Sequence, residues 1–255
     1  MDDVMTINQQ YINIHNHGLF GVDDGAKDFE QACEMLKISH KEGIRVIVFT
    51  PHYHEGKCEP DIRTIKDNFR TLKEYAGEMY PDMDLLLGSE VYYIGSDSVA
   101  AVSDGRAMTL SGTRYVLVEF STGIKKTELT NAIIEFRSAG YRPIVAHLER
   151  YKNIYTDRAA VNTIIRLGAY IQVNTRSLKG RRRLLPWRRD SKSRTLIELI
   201  NAGMVHFIAD DSHGTGSRRP YYGSLVRRIR RRVDSDELDK ILYVNPIRLL
   251  EDETI

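Results

Sequence analysis

The sequence has little cysteine, no long apolar run and almost no net charge. Its two cysteines, Cys33 and Cys58, are too few for a disulfide framework or a cysteine-rich metal motif. No apolar run approaches the roughly 20 residues that span a bilayer. The acidic, polar opening MDDVMTINQQ cannot serve as a signal peptide. We therefore expect a cytoplasmic protein with reduced thiols and no membrane span.

The remaining totals describe an ordinary globular chain. A length of 255 residues with 42% hydrophobic residues is enough for a substantial core, and a net charge of +2 selects no class of partner. The chain contains neither G-x-G-x-x-G nor G-x-x-x-x-G-K-[ST], which excludes the common nucleotide-binding forms. Because no linker or break in composition appears, we expect a single domain over residues 1–255.

Short β-branched runs alternate with amphipathic segments along most of the chain. The predicted strands are Tyr11–Ile14, Ile44–Phe49, Asp84–Leu87, Tyr115–Glu119, Pro143–Ala146, Ala169–Val173, Val205–Ala209 and Ile241–Val244. The predicted helices are Phe29–Glu42, Ile62–Glu78, Leu129–Ala139, Ala159–Leu167, Arg194–Ala202 and Leu225–Val233. This order predicts parallel βαβ units of the α/β class, in a barrel or a doubly wound sheet.

Ionisable side chains follow six of these strands at their C-terminal ends. They are His15 and His17, His52, Glu90, Glu119, His147, and the run Asp210-Asp211-Ser212-His213. In barrels and open α/β sheets these ends share one face. One such residue alone is more often a hydrogen-bonded structural side chain than a ligand. Six convergent positions would repel and be poorly solvated without a cation, so the pattern predicts a multinuclear metal site.

The candidate ligands offer only nitrogen and oxygen atoms. Such a set favours Mn²⁺, Fe or Zn²⁺ over a structural zinc site. Two or more ions can generate a bridging hydroxide and hold the oxygens of a phosphoryl group, so hydrolysis of a phosphate ester is the chemistry we expect. Arg150, and Arg218 or Arg219, can bind phosphate oxygens, although a surface salt bridge is an equally good interpretation of each alone.

The motifs also resemble those of a known family. In order, they are NIHNHGLFGVDDGAKD, GIRVIVFTPHYHEGK, LLLGSEVYY, YVLVEFS, YRPIVAHLERY, GAYIQVNTRSLKG, ADDSH and NPIRLL. Over nearly the whole chain this set resembles the metal-dependent protein-tyrosine phosphatases of bacterial capsule and exopolysaccharide gene clusters. These form the CpsB/YwqE family of the PHP superfamily.

The resemblance implies a distorted (β/α)₇ TIM-like barrel, the PHP fold, with three metal ions that are usually Mn²⁺. The implied ligands are His15, His17 and Asp211 with a bridging Glu90 for one ion, Glu90, Glu119 and His147 for the second, and Asp24, His52 and His213 for the third. Arg150 and either Arg218 or Arg219 would hold the phosphate. Family members often carry Asp where this chain has Asn13, and His54 is an alternative to His52 in the TPHYH motif.

The implied substrate is the phosphorylated, tyrosine-rich tail of an autophosphorylating tyrosine kinase that governs polysaccharide export. A cysteine mechanism does not fit, because the residues six positions after Cys33 and Cys58 are Ser39 and Thr64 rather than arginine. The alternative enzymes are a PHP phosphatase of a small molecule such as histidinol phosphate and a PHP nuclease. The sequence is also compatible with a homo-oligomer.

A binding protein of another class is the remaining alternative. Residues 179–194 and 227–232 are rich in arginine and lysine, and such clusters can bind nucleic acid, form a solvated helix face or steer an acidic substrate. Trp187 in the first cluster is either an anchor for that substrate or a packing residue. The DDGAKD, AHLERY and IQVNTRSLKG segments favour the tyrosine phosphatase, so we do not expect nucleic acid as a partner.

Overall fold

The computed structural model describes residues 10–180 and 191–255, in which strands and helices alternate. The strands are β1 Tyr11–Asn16, β2 Ile44–Phe49, β3 His52–Tyr53, β4 Asp84–Leu87, β5 Glu90–Tyr92, β6 Tyr115–Glu119, β7 Arg142–Val145, β8 Tyr170–Asn174 and β9 Phe207–Ala209. The α-helices are α1 Phe29–Lys41, α2 Ile62–Met79, α3 Ser96–Ser103, α4 Lys126–Ser138, α5 Lys152–Tyr155, α6 Arg158–Arg166, α7 Thr175–Leu178, α8 Ser191–Asn201, α9 Gly223–Ile229, α10 Ser235–Asp239 and α11 Asn245–Leu250. Trp187 and most of the basic cluster 179–194 lie outside the described residues.

The paired strands run parallel in two sheets, of order β1-β2-β4 and β3-β5-β6-β7-β8-β9. Backbone hydrogen bonds link the two sheets where β2 passes into β3 and β4 into β5. Gly88 N donates to Phe49 O (2.8 Å), and Glu90 N donates to Pro51 O (3.1 Å). The strands therefore form a curled parallel arrangement of the α/β class.

Most strand residues are buried on both faces because helices cover one side and the curled interior covers the other. Every residue of β1 is buried, as is usual for parallel strands. One buried cluster combines residues from six strands, including Ile14, Leu117 and Phe207, and a larger cluster lies with the helices. Asp28 and Asp61 begin α1 and α2 by accepting hydrogen bonds from Gln31 N and Thr64 N. Local capping and burial thus account for the alternation expected from the sequence.

The predicted strand Ile241–Val244 is wrong. Its residues lie in a π-helical turn, Lys240–Val244, that joins α10 to α11 in one continuous helical segment. Asp234 begins this segment by accepting hydrogen bonds from Asp236 N and Glu237 N. Pro246 lacks an N–H, and its ring would press on the carbonyl one turn earlier, so a wider turn before it relieves the clash. The β-branched letters suggested a strand, but the cap and the packing favour helix.

The short strands β3 and β5 were not predicted, although they hold His52 and Glu90. Each continues an earlier strand after a two-residue interruption. Within the described residues, no helix combines the length and the apolar character needed to cross a membrane.

Candidate metal centre

The side chains that the sequence suggested as metal ligands lie together beyond the C-terminal ends of the strands. They are His15, His17, Asp24, His52, Glu90, Glu119, His147, Asp211 and His213. Eight of them form three overlapping groups whose donor atoms lie within 4.8 Å of one another. His147 adjoins these groups through Glu90 and Glu119. The topology therefore brings together residues that are up to 198 positions apart in the chain (213 − 15).

The deepest group consists of His15, His17 and Asp211. The Nε2 atoms of the two histidines are 3.1 Å apart, and each is 3.6 Å from Asp211 Oδ1. The register of β1 against β2 shifts between Asn13 and Asn16, and such irregularities re-aim the side chains of a strand. His15 and His17 thus point their Nε2 atoms at one place.

Glu90 lies at the middle of the cluster. Its Oε1 is 2.7 Å from His147 Nε2, and its Oε2 is 3.0 Å from His52 Nδ1 and 3.3 Å from the Nε2 atoms of His15 and His17. Glu119 closes this side, with Oε1 3.4 Å from His147 Nε2. Glu90 can therefore contact more than one ion.

The third group joins the cluster to solvent. Asp24 Oδ1 is 3.4 Å from both His52 Nε2 and His213 Nε2, and the ring of His213 stacks on His17 at 3.9 Å. The Asp24 side chain is 66% exposed, whereas His213 is nearly buried. This group forms the outer edge of the centre.

These residues fit divalent cations on the chemistry of their donors. Glu90 Oε2 is buried and has no hydrogen-bond partner, although three imidazole nitrogens lie around it. An unpartnered carboxylate oxygen in such a place is costly unless a cation occupies the space between the donors. All the donors are imidazole nitrogens or carboxylate oxygens, as suits Mn²⁺, Fe or Zn²⁺.

The electrostatics show how strongly these groups depend on one another. Burial alone would raise the pKa of Glu90, but the His15 and His147 imidazoles hold it well below its usual range. Burial likewise opposes charge on Asp211, whose pKa the His15 imidazole lowers to about 2. Burial and the neighbouring His17 lower the pKa of His213 to about 2, so that its ring is neutral and its nitrogen lone pair is free for a ligand.

Asp23 is a residue of the centre that the sequence reasoning passed over in favour of Asp24. Its Oδ2 is 2.7 Å from His17 Nδ1 and accepts a hydrogen bond from His52 N (3.0 Å). A carboxylate on Nδ1 directs Nε2 of the same ring toward the cluster. Gly25 follows because a Cβ there would lie 1.9 Å from His17 O. The DDG motif draws attention to both aspartates, but only the fold shows that Asp23 is the one that orients His17.

Gln172 is a second residue that the sequence did not single out. Its Oε1 accepts a hydrogen bond from His147 N (2.7 Å) and lies 3.3 Å from His15 Nδ1. His147 and Asp211 both have left-handed backbones, with φ of 33° and 48°. Such a conformation is costly for residues other than glycine and is common at functional sites. The hydrogen bond from His147 N to Gln172 helps to hold this conformation.

Asn13 stands where the resemblance leads us to expect aspartate, and the structure shows its partner. Its Nδ2 donates to Asp210 Oδ1 (2.8 Å), and its Oδ1 accepts from Asp210 N (3.2 Å). Asp210 also accepts hydrogen bonds from Asn16 and Ser212. Asn13 can donate to this buried carboxylate, whereas a second carboxylate would repel it. Asp210 therefore anchors the loop that carries Asp211.

The three candidate arginines are placed differently. Arg150 Nη1 is 2.6 Å from Glu119 Oε1, and its Nη2 is 3.2 Å from Asp211 Oδ2. Arg218 Nη2 is 3.1 Å from Asp211 Oδ1. Arg219 is exposed, and its carbonyl accepts a hydrogen bond from Arg176. Two guanidinium groups thus border the cluster, and the arrangement can bind an oxyanion between cations and arginines.

Comparison with known proteins agrees with this geometry. Residues 11–251 match the model of a family described as capsular polysaccharide synthesis, CpsB/CapC. The tyrosine-protein phosphatase CpsB of Streptococcus agalactiae serotype III (strain NEM316) is 29% identical over 244 residues, which cover 96% of this chain and 100% of the relative. The tyrosine-protein phosphatase YwqE of Bacillus subtilis (strain 168) is 29% identical over 249 residues, covering 96% and 93%.

Solved structures show similarity to the same group of proteins. A chain from the crystal structures of YwqE from Bacillus subtilis and CpsB from Streptococcus pneumoniae, described as unique metal-dependent tyrosine phosphatases, superimposes with a TM-score of 0.83. It is 25% identical, and the match covers 96% of both chains. A mutant organophosphorus hydrolase from Deinococcus radiodurans has a TM-score of 0.60 at 14% identity, covering 95% of this chain and 93% of the hydrolase. The latter likeness concerns the fold alone.

Proposed function

This chain belongs to the capsular polysaccharide synthesis family CpsB/CapC, and we propose that it is a metal-dependent phosphatase that hydrolyses phosphotyrosine in proteins. The observation that carries the proposal is the buried, unpartnered Oε2 of Glu90 among three imidazoles, bordered by the guanidinium groups of Arg150 and Arg218. Relatives of nearly the same length are named tyrosine-protein phosphatases, which supports this substrate over other phosphate esters.

We propose that the three groups of the candidate centre hold Mn²⁺ ions. The proposed ligands are His15, His17, Asp24, His52, Glu90, Glu119, His147, Asp211 and His213. When bound, such ions neutralise charge on a phosphoryl group and make water a nucleophile near neutral pH. The short distances from Glu90 to its histidine neighbours support a bridging role for this carboxylate.

The protein's own side chains have separate tasks in this proposal. Arg150 and Arg218 bind phosphoryl oxygens, since both guanidinium groups already lie against carboxylates of the cluster. Asp23 holds the proton of His17 at Nδ1 and leaves Nε2 free to bind a cation. The leaving tyrosinate comes from a phenol of pKa about 10, so the reaction does not require a strong general acid from the protein.

The cysteines have no part in this chemistry. Cys33 and Cys58 are free thiols, and burial raises the pKa of both. A raised pKa keeps a thiol protonated, whereas a nucleophilic cysteine requires a lowered one.

We further propose that the strands form a closed barrel of seven positions, in which β2 with β3 and β4 with β5 each count as one. Hydrogen bonds from Asp211 N to His15 O (3.1 Å) and from His17 N to Ser212 O (3.0 Å) support the closure between β1 and the end of β9. Closure would bring His15 and His17 against Asp211, as a shared cation requires.

For the physiological substrate, we propose the phosphorylated, tyrosine-rich tail of an autophosphorylating tyrosine kinase that controls capsule synthesis. The relatives named tyrosine-protein phosphatases and the open outer edge of the centre at Asp24 support a polypeptide substrate, and the family description supports the link to capsule synthesis. An extended tail can reach such an edge without rearrangement of the strands.

Parallel assays test the proposal. A phosphotyrosine peptide, histidinol phosphate and single-stranded DNA would each be supplied to the protein with Mn²⁺ and with EDTA. We expect hydrolysis of the peptide with Mn²⁺ only. Equal activity in EDTA would contradict the metal centre, and preferential hydrolysis of histidinol phosphate or DNA would contradict the substrate.

A further inference from the structure

Two aromatic side chains, His54 and Tyr92, lie together close to His52 and Glu90. Tyr92 is the last residue of β5, and His54 directly follows β3. Their rings are parallel to within 8°, and their centroids are 4.1 Å apart. Both residues are only partly buried. His54 belongs to none of the three ligand groups, so it is free for another role.

Strand register places this pair two residues past His52 and Glu90, with Tyr92 level with Glu119. β3 pairs with β5 so that His52 lies opposite Glu90, and β5 pairs with β6 so that Tyr92 lies opposite Glu119. Side chains alternate between the two faces of a strand, and the intervening Tyr53 and Val91 are buried in the core. Tyr92 therefore shares a face with Glu90, and the ring stack places His54 beside Tyr92.

The distance beyond the ligands suits one aromatic ring. Two residues of strand advance about 7 Å, so the pair lies about that far outward from His52 and Glu90. A phosphotyrosine has a single oxygen between phosphorus and ring. With its phosphoryl group among the ligands, its ring reaches the level of His54 and Tyr92.

Hydrogen bonds hold the pair in place. His54 N donates to Cys58 O (2.7 Å), and Cys58 N donates back to His54 O (2.8 Å). Arg106 Nη1 fixes the adjoining segment by donating to the Tyr53 hydroxyl (2.9 Å). On the other strand, the Tyr92 carbonyl accepts from Ser98 Oγ (3.2 Å). A rigid surface of this kind loses little conformational entropy when it contacts a ring.

We propose that the His54–Tyr92 stack is the subsite for the aryl group of the substrate and that it favours phosphotyrosine over alkyl phosphate esters. The inference rests on the proposed function, because it assumes that the phosphoryl group binds among the metal ligands. Offset or edge contacts between aromatic rings would supply the preference. A phosphoserine has no ring to make this contact.

Two phosphonates that differ only in the ring test the subsite without turnover. Phenylphosphonate and methylphosphonate would be titrated into the Mn²⁺-loaded full chain, and the ratio of their dissociation constants compared among variants. We expect wild type to prefer phenylphosphonate, and Tyr92→Ala to reduce that preference about threefold to tenfold. Tyr92→Phe should retain it, because the ring remains.

Tyr93→Phe is the matched control, since the Tyr93 hydroxyl bonds to Glu135 on α4, outside the cluster. Affinity for methylphosphonate reports whether each variant retains a folded, loaded centre. If Tyr92→Ala loses that affinity, His54→Ala serves as the second variant and should lower the same ratio. An unchanged ratio in an alanine variant that still binds methylphosphonate, Tyr92→Ala or His54→Ala, would overturn the subsite.

A missing preference for phenylphosphonate in wild type would also overturn the subsite. Failure of the proposed function is distinguishable, because it would appear as absent hydrolysis of a phosphotyrosine peptide whatever the phosphonate ratio.

Discussion

Charged side chains are buried at both ends of the strands, but their hydrogen bonding differs between the two ends. At the C-terminal ends, Glu90 keeps a buried oxygen without a partner. At the N-terminal ends, Arg142 at the start of β7 donates to the carbonyls of Asp252 (2.7 Å) and Glu253 (2.9 Å) and to Thr254 Oγ1 (2.8 Å). One end leaves binding capacity open for a ligand, and the other uses it within the protein.

A cavity lined by charged side chains is therefore not enough to identify a binding site. A cavity of about 620 Å³ lies at the N-terminal ends, lined by Arg114, Arg142 and His206 among others. Yet Arg114 and Arg142 are both paired with Asp252. We infer that the N-terminal ends of the strands contribute to stability. The unpartnered carboxylate oxygen at the C-terminal ends contributes to binding, as is usual for folds with parallel strands.

The largest expected effect comes from a substitution at the C-terminal ends of the strands. Glu90→Gln removes the charge of a proposed ligand while keeping the size of the side chain. Because bound cations contribute several kcal/mol to such hydrolysis, we expect kcat/KM for a phosphotyrosine peptide to fall at least about a thousandfold. Measurement at saturating Mn²⁺, with metal content determined in parallel, checks this. Activity within about tenfold of wild type would mean that Glu90 is not a ligand.

Removing hydrogen bonds at the N-terminal ends of the strands should instead lower stability. Arg142→Met removes the hydrogen bonds to the carbonyls of Asp252 and Glu253 and to Thr254 Oγ1, while Arg114 and the Tyr115 hydroxyl still donate to the two carbonyls. We therefore expect the free energy of unfolding to fall by about 2 kcal/mol. Urea denaturation measures this loss, and kcat should stay near that of wild type. Arg114→Met is the control, because its ion pair with Asp252 is more exposed (54% for Arg114) and should matter less. Equal losses in both variants would contradict the distinction.

Two neighbouring arginines at the C-terminal ends of the strands, Arg218 and Arg219, can be compared for their contribution to phosphate binding. Arg218→Ala should weaken binding of inorganic phosphate to the Mn²⁺-loaded protein about tenfold, because a charge-assisted hydrogen bond is removed. Arg219→Ala should change it less than about twofold, because that side chain is exposed. Calorimetric titration distinguishes them, and the opposite order would assign the phosphate to Arg219.

The last comparison concerns pH and a histidine at the N-terminal ends of the strands. His206 Nδ1 accepts a hydrogen bond from Ile171 N (3.0 Å), and burial lowers the pKa of His206 to about 4. A histidine in an unfolded chain titrates near 6.5, so the unfolded state takes up the proton first as pH falls. The stability from neutral His206 is complete above about pH 6.5 and is lost toward pH 4, by an amount on the order of 2 kcal/mol.

Other ionisable groups also contribute to the pH dependence of stability, so the measurement is a difference between wild type and His206→Asn. Urea denaturation at pH 7 and pH 5, both in EDTA, should show a smaller loss for the variant. Parallel losses in the two proteins would assign the pH dependence to other groups.

Much of the fold could be predicted from the sequence because its signals are local. The runs at Ile44–Phe49 and Tyr115–Glu119 are strands with the predicted bounds, and the helix predicted at Ile62–Glu78 differs by one residue. Ile241–Val244 failed because β-branched residues indicate a strand only weakly when a helix cap and tertiary packing act against it. The two-residue strand β3 is too short to have a periodic pattern.

In the centre, the sequence by itself determined which residue types stand at the ends of the strands, since a strand and the residue after it are neighbours in the chain. It also determined that no thiolate accompanies them. Three contacts depend on the tertiary structure. Asp23 rather than Asp24 orients His17. Gln172 supports His147, and Arg218 rather than Arg219 borders Asp211. These are contacts between side chains whose directions depend on turns, burial and strands distant in sequence, and no local pattern encodes them.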